Sequence, residues 1–221
     1  MSDEFLEKIP YSIRYYIERK NLTGLRPSQE KSIDKGLFSS SNNQIIATPT
    51  ASGKTFVAEL AMLHTLVEKK KRVIYIVPLK ALASEKFKDF KREYGDEFSV
   101  RISVGDLQTE KYNYDYDLLL VTSEKLDSLI RHDKGFLDNV GLVVADEIHL
   151  LQDEKRGPTL EILLSLFKTK FPSLRIIGLS ATIGNADEIA NWLDADLIED
   201  EWRPVELQHH ILVDNKMYRY K

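Results

Sequence analysis

From Asn43 onward, short runs of Ile, Val and Leu alternate with longer amphipathic stretches, and few architectures accept that order. The runs Gln44–Thr48, Arg72–Val77, Phe98–Val104, Asp117–Val121, Val140–Ala145 and Leu174–Leu179 read as strands. Several are almost continuously aliphatic, as strands are when helices cover both faces of their sheet. Between them, Lys54–Lys69, Lys80–Arg92, Ser123–Arg131, Pro158–Lys168 and Asn185–Leu193 carry helical periodicity. Strands joined by helical crossovers of the usual right hand imply an α/β fold, a doubly wound and mostly parallel sheet with helices on both faces.

Ahead of the first strand, Tyr11–Lys20 and Pro27–Phe38 read as short helices, parted by an Asn21-Leu22-Thr23-Gly24 turn. Pro27 suits a first helical position, where a missing amide proton costs nothing. The Ser39–Asn43 tract is a loop by composition. After Trp202 the pattern gives one more strand, Val205–Val213, and then a polar, basic tail with no helix or sheet partner. The expected organisation is a helical segment over 1–43, an α/β lobe over 44–204 and a terminal segment over 205–221.

Composition narrows the function. The chain has no cysteine, which excludes disulfides, thiolate zinc sites and a cysteine nucleophile. No apolar run approaches the roughly 20 residues of a membrane span. The acidic start Met1-Ser2-Asp3-Glu4 lacks the features of a signal peptide, so a cytoplasmic location is expected. The net charge of −4 argues against a surface wrapped in phosphate backbone, and any nucleic-acid contact should be local. The Lys69-Lys70-Lys71-Arg72 run lies between a helix and a strand and reads as a solvated turn.

Two motifs carry chemistry. Between the first strand and the first long helix stands Thr48-Pro49-Thr50-Ala51-Ser52-Gly53-Lys54-Thr55. A loop at this junction offers unpaired N–H groups and the positive end of a helix dipole to an anion. Lys54 would reach the β- and γ-phosphates of a nucleotide, and the Thr55 hydroxyl would coordinate Mg2+. The loop departs from the usual pattern, with Thr48 at the first glycine position and Ala51 where many such loops carry glycine. The second motif is Asp146-Glu147-Ile148-His149, which follows the apolar strand Val140–Ala145. Carboxylates at the carboxyl end of a strand lie where doubly wound sheets hold ligands. Asp146 would hold Mg2+ through a water, Glu147 would orient and deprotonate the water attacking the γ-phosphate, and His149 would couple the site to its surroundings.

With these motifs in this order the chain resembles the superfamily 2 helicases, and within them the Ski-type group that includes the archaeal Hjm DNA helicases. The resemblance runs from about Leu25 to Val205. It implies that Arg26-Pro27-Ser28-Gln29 is the adenine-reading motif, with the Gln29 amide on the base edge. Pro78-Leu79-Lys80-Ala81-Leu82-Ala83, Val104-Gly105-Asp106 and Thr122-Ser123-Glu124-Lys125 are similar to motifs that touch the backbone of a single strand. The contacts it implies fall on Pro78, Lys80, Gly105, Thr122, Ser123 and Lys125, although Thr122 and Ser123 would serve equally as helix caps. Ser180-Ala181-Thr182 is similar to the motif that links the nucleotide state to the bound strand.

The same resemblance implies ATP and Mg2+ as cofactors and single-stranded nucleic acid as a partner, with the Trp192–Val205 stretch favouring DNA over RNA. It also implies a second RecA-like lobe that supplies an arginine finger, with residues after Val205 starting the hinge towards it. An RNA helicase lobe and a nucleotide-dependent binding module that never translocates remain as alternatives.

Overall fold

Strands with aliphatic side chains on both sides need two separate cores, and the chain builds them. The computed structural model describes residues 4–20, 22–105, 115–205, 208, 210–213 and 216–219. Within these, Asn43–Ala47 (β1), Arg72–Ile76 (β2), Val100–Ser103 (β3), Leu118–Val121 (β4), Val140–Ala145 (β5), Arg175–Ser180 (β6) and Ala195–Glu199 (β7) form one sheet. Its order is β3-β4-β2-β5-β6-β1-β7, and every pairing is parallel.

The pleat sends Ile46, Val73, Tyr75, Leu120 and Val144 into one core and Ile45, Ile74, Ile76, Val121 and Val143 into the other. The first core is closed by Glu4–Glu7 (α1), Tyr11–Glu18 (α2), Pro27–Asp34 (α3), Lys54–Val67 (α4) and Lys80–Tyr94 (α5). The second is closed by Ser123–His132 (α6), Gly157–Lys170 (α7) and Ala186–Trp192 (α8). The doubly wound α/β expectation therefore holds, with helices on both faces. Among the described residues no helix is long and apolar enough to cross a membrane.

Boundaries moved by a few residues for local reasons. α3 stops at Asp34 because Gly36, at φ 88°, turns the chain left-handed. Lys69–Lys71 form an exposed turn into β2, as their composition suggests, while Arg72 is half-buried as the first residue of the strand. Two expectations need correction. β7 was not anticipated, because Ala195-Asp196-Leu197-Ile198-Glu199 is short and carries charge at an edge position. The strand expected over Val205–Val213 is seen at His210–Val213 (β8), but the tail expected to lack a partner supplies Lys216–Arg219 (β9), which pairs antiparallel with it. Residues 206, 207, 209, 214, 215, 220 and 221 of that segment lie outside the described residues, as do Met1–Asp3, Asn21 and Asp106.

Candidate nucleotide site

Because all strands of the main sheet run the same way, their carboxyl ends share one edge, and the motifs collect there. β1 leads into the Thr48–Gly53 loop, β2 into Pro78 and Lys80, and β3 into Gly105. On the same edge, β4 leads into Thr122, β5 into Asp146, and β6 ends at Ser180. β6 lies between β1 and β5, so the phosphate-type loop and the carboxylates are two strand spacings apart, roughly 9.5 Å. That gap suits a phosphate chain with a cation and a water beside it.

The loop is shaped by backbone conformations and by what packs on it. Ala51 and Gly53 both have positive φ, at 65° and 94°. The positive φ of Gly53 suits glycine, and a Cβ there would lie 2.5 Å from Gln29 Nε2 and push that side chain from its place. Thr48 and Ser52 share a hydrogen bond of 2.7 Å between their hydroxyls, and Thr48 N–H donates to the Ser180 carbonyl at 3.2 Å. Pro49 is buried and Thr50 exposed. The N–H groups of Gly53, Lys54 and Thr55 find no acceptor among the described residues, as expected for the first turn of a helix. Lys54 itself is 8% exposed and forms no ion pair or side-chain hydrogen bond among them. A mostly buried lysine without a counter-ion among the described residues, at a helix start whose first N–H groups are unpartnered, could hold an anion.

Gln29 belongs to the same construction. Its Oε1 accepts from Arg26 N–H at 2.8 Å and its Nε2 donates to the Gly53 carbonyl at 3.1 Å. One N–H and one lone pair of the amide remain for a ligand. Arg26 was named only as part of the motif, yet it donates from Nη1 to the Ala51 carbonyl at 2.6 Å and lies over the Trp202 ring at 5.4 Å. Trp202 arrives there because β7 carries the chain back beside α3, where Lys31 pairs with Asp200 at 2.7 Å.

Asp146 and Glu147 sit at the end of β5 as expected, and they differ in environment. Asp146 Oδ1 accepts from Glu147 N–H at 3.0 Å, while Oδ2 accepts from the Tyr75 hydroxyl at 3.1 Å and lies 3.2 Å from Lys86 Nζ. Burial and the facing carboxylate push the Tyr75 hydroxyl well above its ordinary pKa, so it stays a donor. Glu147 is half-buried in a left-handed conformation, φ 52°, ψ 45°. A non-glycine residue held there costs about 1 to 2 kcal/mol, and such strain gathers at functional sites. His149 Nδ1 is buried, 3.4 Å from Glu147 Oε2 without a hydrogen bond.

The remaining motif residues divide into engaged and free. Thr122 Oγ1 accepts from Lys125 N–H at 3.4 Å and caps α6, with Ser123 buried beside it. Lys80 and Gly105 are brought together, since a Cβ at Gly105 would lie 3.3 Å from Lys80 Nζ. Pro78 is half-buried above β2. Ser180 Oγ is buried without a hydrogen-bond partner, Ala181 is half-buried and Thr182 exposed. Sequence reasoning missed Lys86 and Tyr75, and only the β2–β5 pairing and the packing of α5 bring them to Asp146.

The family model for DEAD/DEAH box helicases matches residues 26–189. The chain is 46% identical over 200 residues to the ATP-dependent DNA helicase Hel308 of Methanococcus vannielii, covering 87% of this chain and 26% of that one. It is 50% identical over 194 residues to Hel308 of Methanocaldococcus jannaschii, covering 85% and 16%. Against Hel308 of Pyrococcus horikoshii the figures are 41% over 207 residues, covering 92% and 28%. The chain thus spans little more than a quarter, or less, of the length of these relatives.

Proposed function

Because the chain belongs to the DEAD/DEAH box helicases, we propose that it is the ATP-binding motor lobe of an ATP-dependent DNA helicase. One observation carries this reading: Lys54, enclosed and without a counter-ion, stands at a helix start whose first N–H groups are also unpartnered. Three phosphates satisfy all of these donors at once. The free N–H and lone pair of Gln29 would meet the adenine edge.

The oxygen donors suit Mg2+. Asp146 offers a carboxylate and Thr55 a hydroxyl, and among the described residues no three His, Asp or Glu side chains gather into a protein cage. That matches an ion that takes most of its ligands from phosphate and water. Bound between Thr55 and Asp146, it would draw charge off the β- and γ-phosphate oxygens. Glu147 would accept a proton from the water that attacks the γ-phosphorus, and ADP would leave with the bond to the γ-phosphate broken. Lys54 would hold the phosphates as negative charge shifts along them.

The DNA preference rests on the names of the Hel308 relatives. Single-stranded DNA would cross the carboxyl edge near Lys80, Gly105, Ser123 and Lys125, contacting phosphates without reading bases. Ser180, Ala181, Thr182 and His149 would pass changes at the γ-phosphate to that track. A second RecA-like lobe, belonging to the part of the relatives that this chain does not span, would complete both the ATP site and the strand track.

Titration of a fluorescent ATP analogue tests the site. The parent chain should bind it with Mg2+, and Lys54→Ala should weaken binding at least tenfold, in keeping with the loss of a charge-assisted contact worth about 1.5 to 3 kcal/mol. Equal binding by the two would remove the phosphate-loop assignment.

A further inference from the structure

α5 is amphipathic, and most of its lysines face solvent, as lysines on a helix usually do. Lys86 does not. Its side chain is 21% exposed, its Nζ lies 3.2 Å from Asp146 Oδ2 and it sits 5.4 Å from the Tyr75 ring centroid. The carboxylate it meets is 6% exposed and fully partnered, with Glu147 N–H on one oxygen and Tyr75 O–H with Lys86 on the other. Tyr75 orients Asp146 without adding charge. Lys86 adds a full positive charge at the oxygen a divalent cation would approach, and like charges a few ångströms apart repel.

We propose that Lys86 is the resident counter-charge of Asp146, a positioning residue that holds the carboxylate ready and sets how tightly the site binds its divalent cation. The proposal rests on the reading of Asp146 as a metal-binding carboxylate. A cation arriving at Asp146 must share or displace the ammonium, so the charge of Lys86 opposes binding, while the Tyr75 ring beneath its Nζ keeps it beside the carboxylate. The device keeps a buried carboxylate from standing alone when no metal is bound, which would otherwise be costly.

Mn2+ titrated into the chain in the presence of ADP, followed by electron paramagnetic resonance, separates the possibilities. Lys86→Gln should tighten Mn2+ binding by roughly tenfold, near the lower range for a unit charge at this distance between water and protein surroundings. Lys86→Met, a flexible neutral side chain of similar length, should do the same and covers the case in which Lys86→Gln folds poorly. Lys86→Arg, which keeps the charge beside Asp146, should stay near the parent value. Unchanged or weakened Mn2+ binding in both neutral variants overturns the proposal. If Asp146→Asn abolishes Mn2+ binding while the neutral Lys86 variants leave it unchanged, the metal site stands and the role of Lys86 falls. Mn2+ binding that survives Asp146→Asn overturns the metal site itself.

Discussion

Lys54 and Lys86 are both largely enclosed ammonium groups, and only one of them has a carboxylate. Lys54 was legible in the sequence because Gly-Lys-Thr after an apolar run fixes its place at a helix start. Lys86 was not, because a lysine on an amphipathic helix gives no sign of which carboxylate it will face. The loop departures also become intelligible. Ala51 at φ 65° occupies a conformation that glycine adopts freely, which explains why glycine often stands there. Ala51→Gly should therefore raise the unfolding midpoint slightly or leave it unchanged, since relief of about 1 kcal/mol of strain offsets the added entropy of the unfolded chain. A clear loss of stability in a thermal melt would contradict the backbone described. Gln29→Glu should act oppositely on function, because it sets a carboxylate oxygen against the Gly53 carbonyl where an N–H now donates. Nucleotide affinity should fall at least tenfold, about 1.4 kcal/mol, and ATP should lose its advantage over GTP in competition titrations.

At the scale of elements, the six aliphatic strands and their following helices were readable because burial on both faces leaves no ambiguity of pattern. β7 and β9 were not, since short strands with mixed charge are decided by what they pair with. That omission hid Trp202, which reaches Arg26 only through β7. Of the N-terminal helices, the sequence indicates α2 and α3 but not α1, and it gives no sign of how they are anchored. Lys20, just past α2, pairs with Glu59 of α4 at 2.7 Å and with Glu93 of α5, and the Tyr94 hydroxyl donates to Glu59 at 2.8 Å. Burial alone would lower the Lys20 pKa, but Glu59 and Glu93 outweigh it and leave it raised. A raised folded-state pKa makes this contribution full at neutral pH and lost only as pH climbs through the folded value, above the ordinary 10.5. Lys20→Ala should cost about 3 kcal/mol in urea unfolding at pH 7, because it strands a buried carboxylate. Lys20→Met combined with Glu59→Gln, which keeps an acceptor for the Tyr94 hydroxyl, should recover most of that loss. Equal damage from both would mean that packing, and not charge, ties α2 to the lobe.

For the whole molecule, a parallel sheet aligns the ends of all its strands, so motifs scattered over more than 130 residues of sequence, from Thr48 to Thr182, meet along one edge. The proposed nucleotide contacts fall on the β1–β6–β5 side and the proposed strand contacts on the β2–β4–β3 side. The net charge of −4 gives no long-range pull on DNA, so single-stranded DNA should bind weakly and with a shallow dependence on salt. A steep slope in a binding titration would mean that the exposed Lys69–Lys71 turn is itself a phosphate site.

Catalysis tests the account most directly. The lobe holds the proposed base, Glu147, and the proposed metal ligands, but the arginine that would neutralise charge on the γ-phosphate is assigned to a second lobe. Such an arginine is worth roughly 10³ to 10⁵ in turnover, or about 4 to 7 kcal/mol of barrier. The measurement is ATP turnover by residues 1–221 alone, with and without single-stranded DNA. The account predicts hydrolysis barely above background and unchanged by DNA, despite measurable nucleotide binding. Vigorous, DNA-stimulated turnover from this chain alone would contradict it, because it would require a complete catalytic site within one lobe.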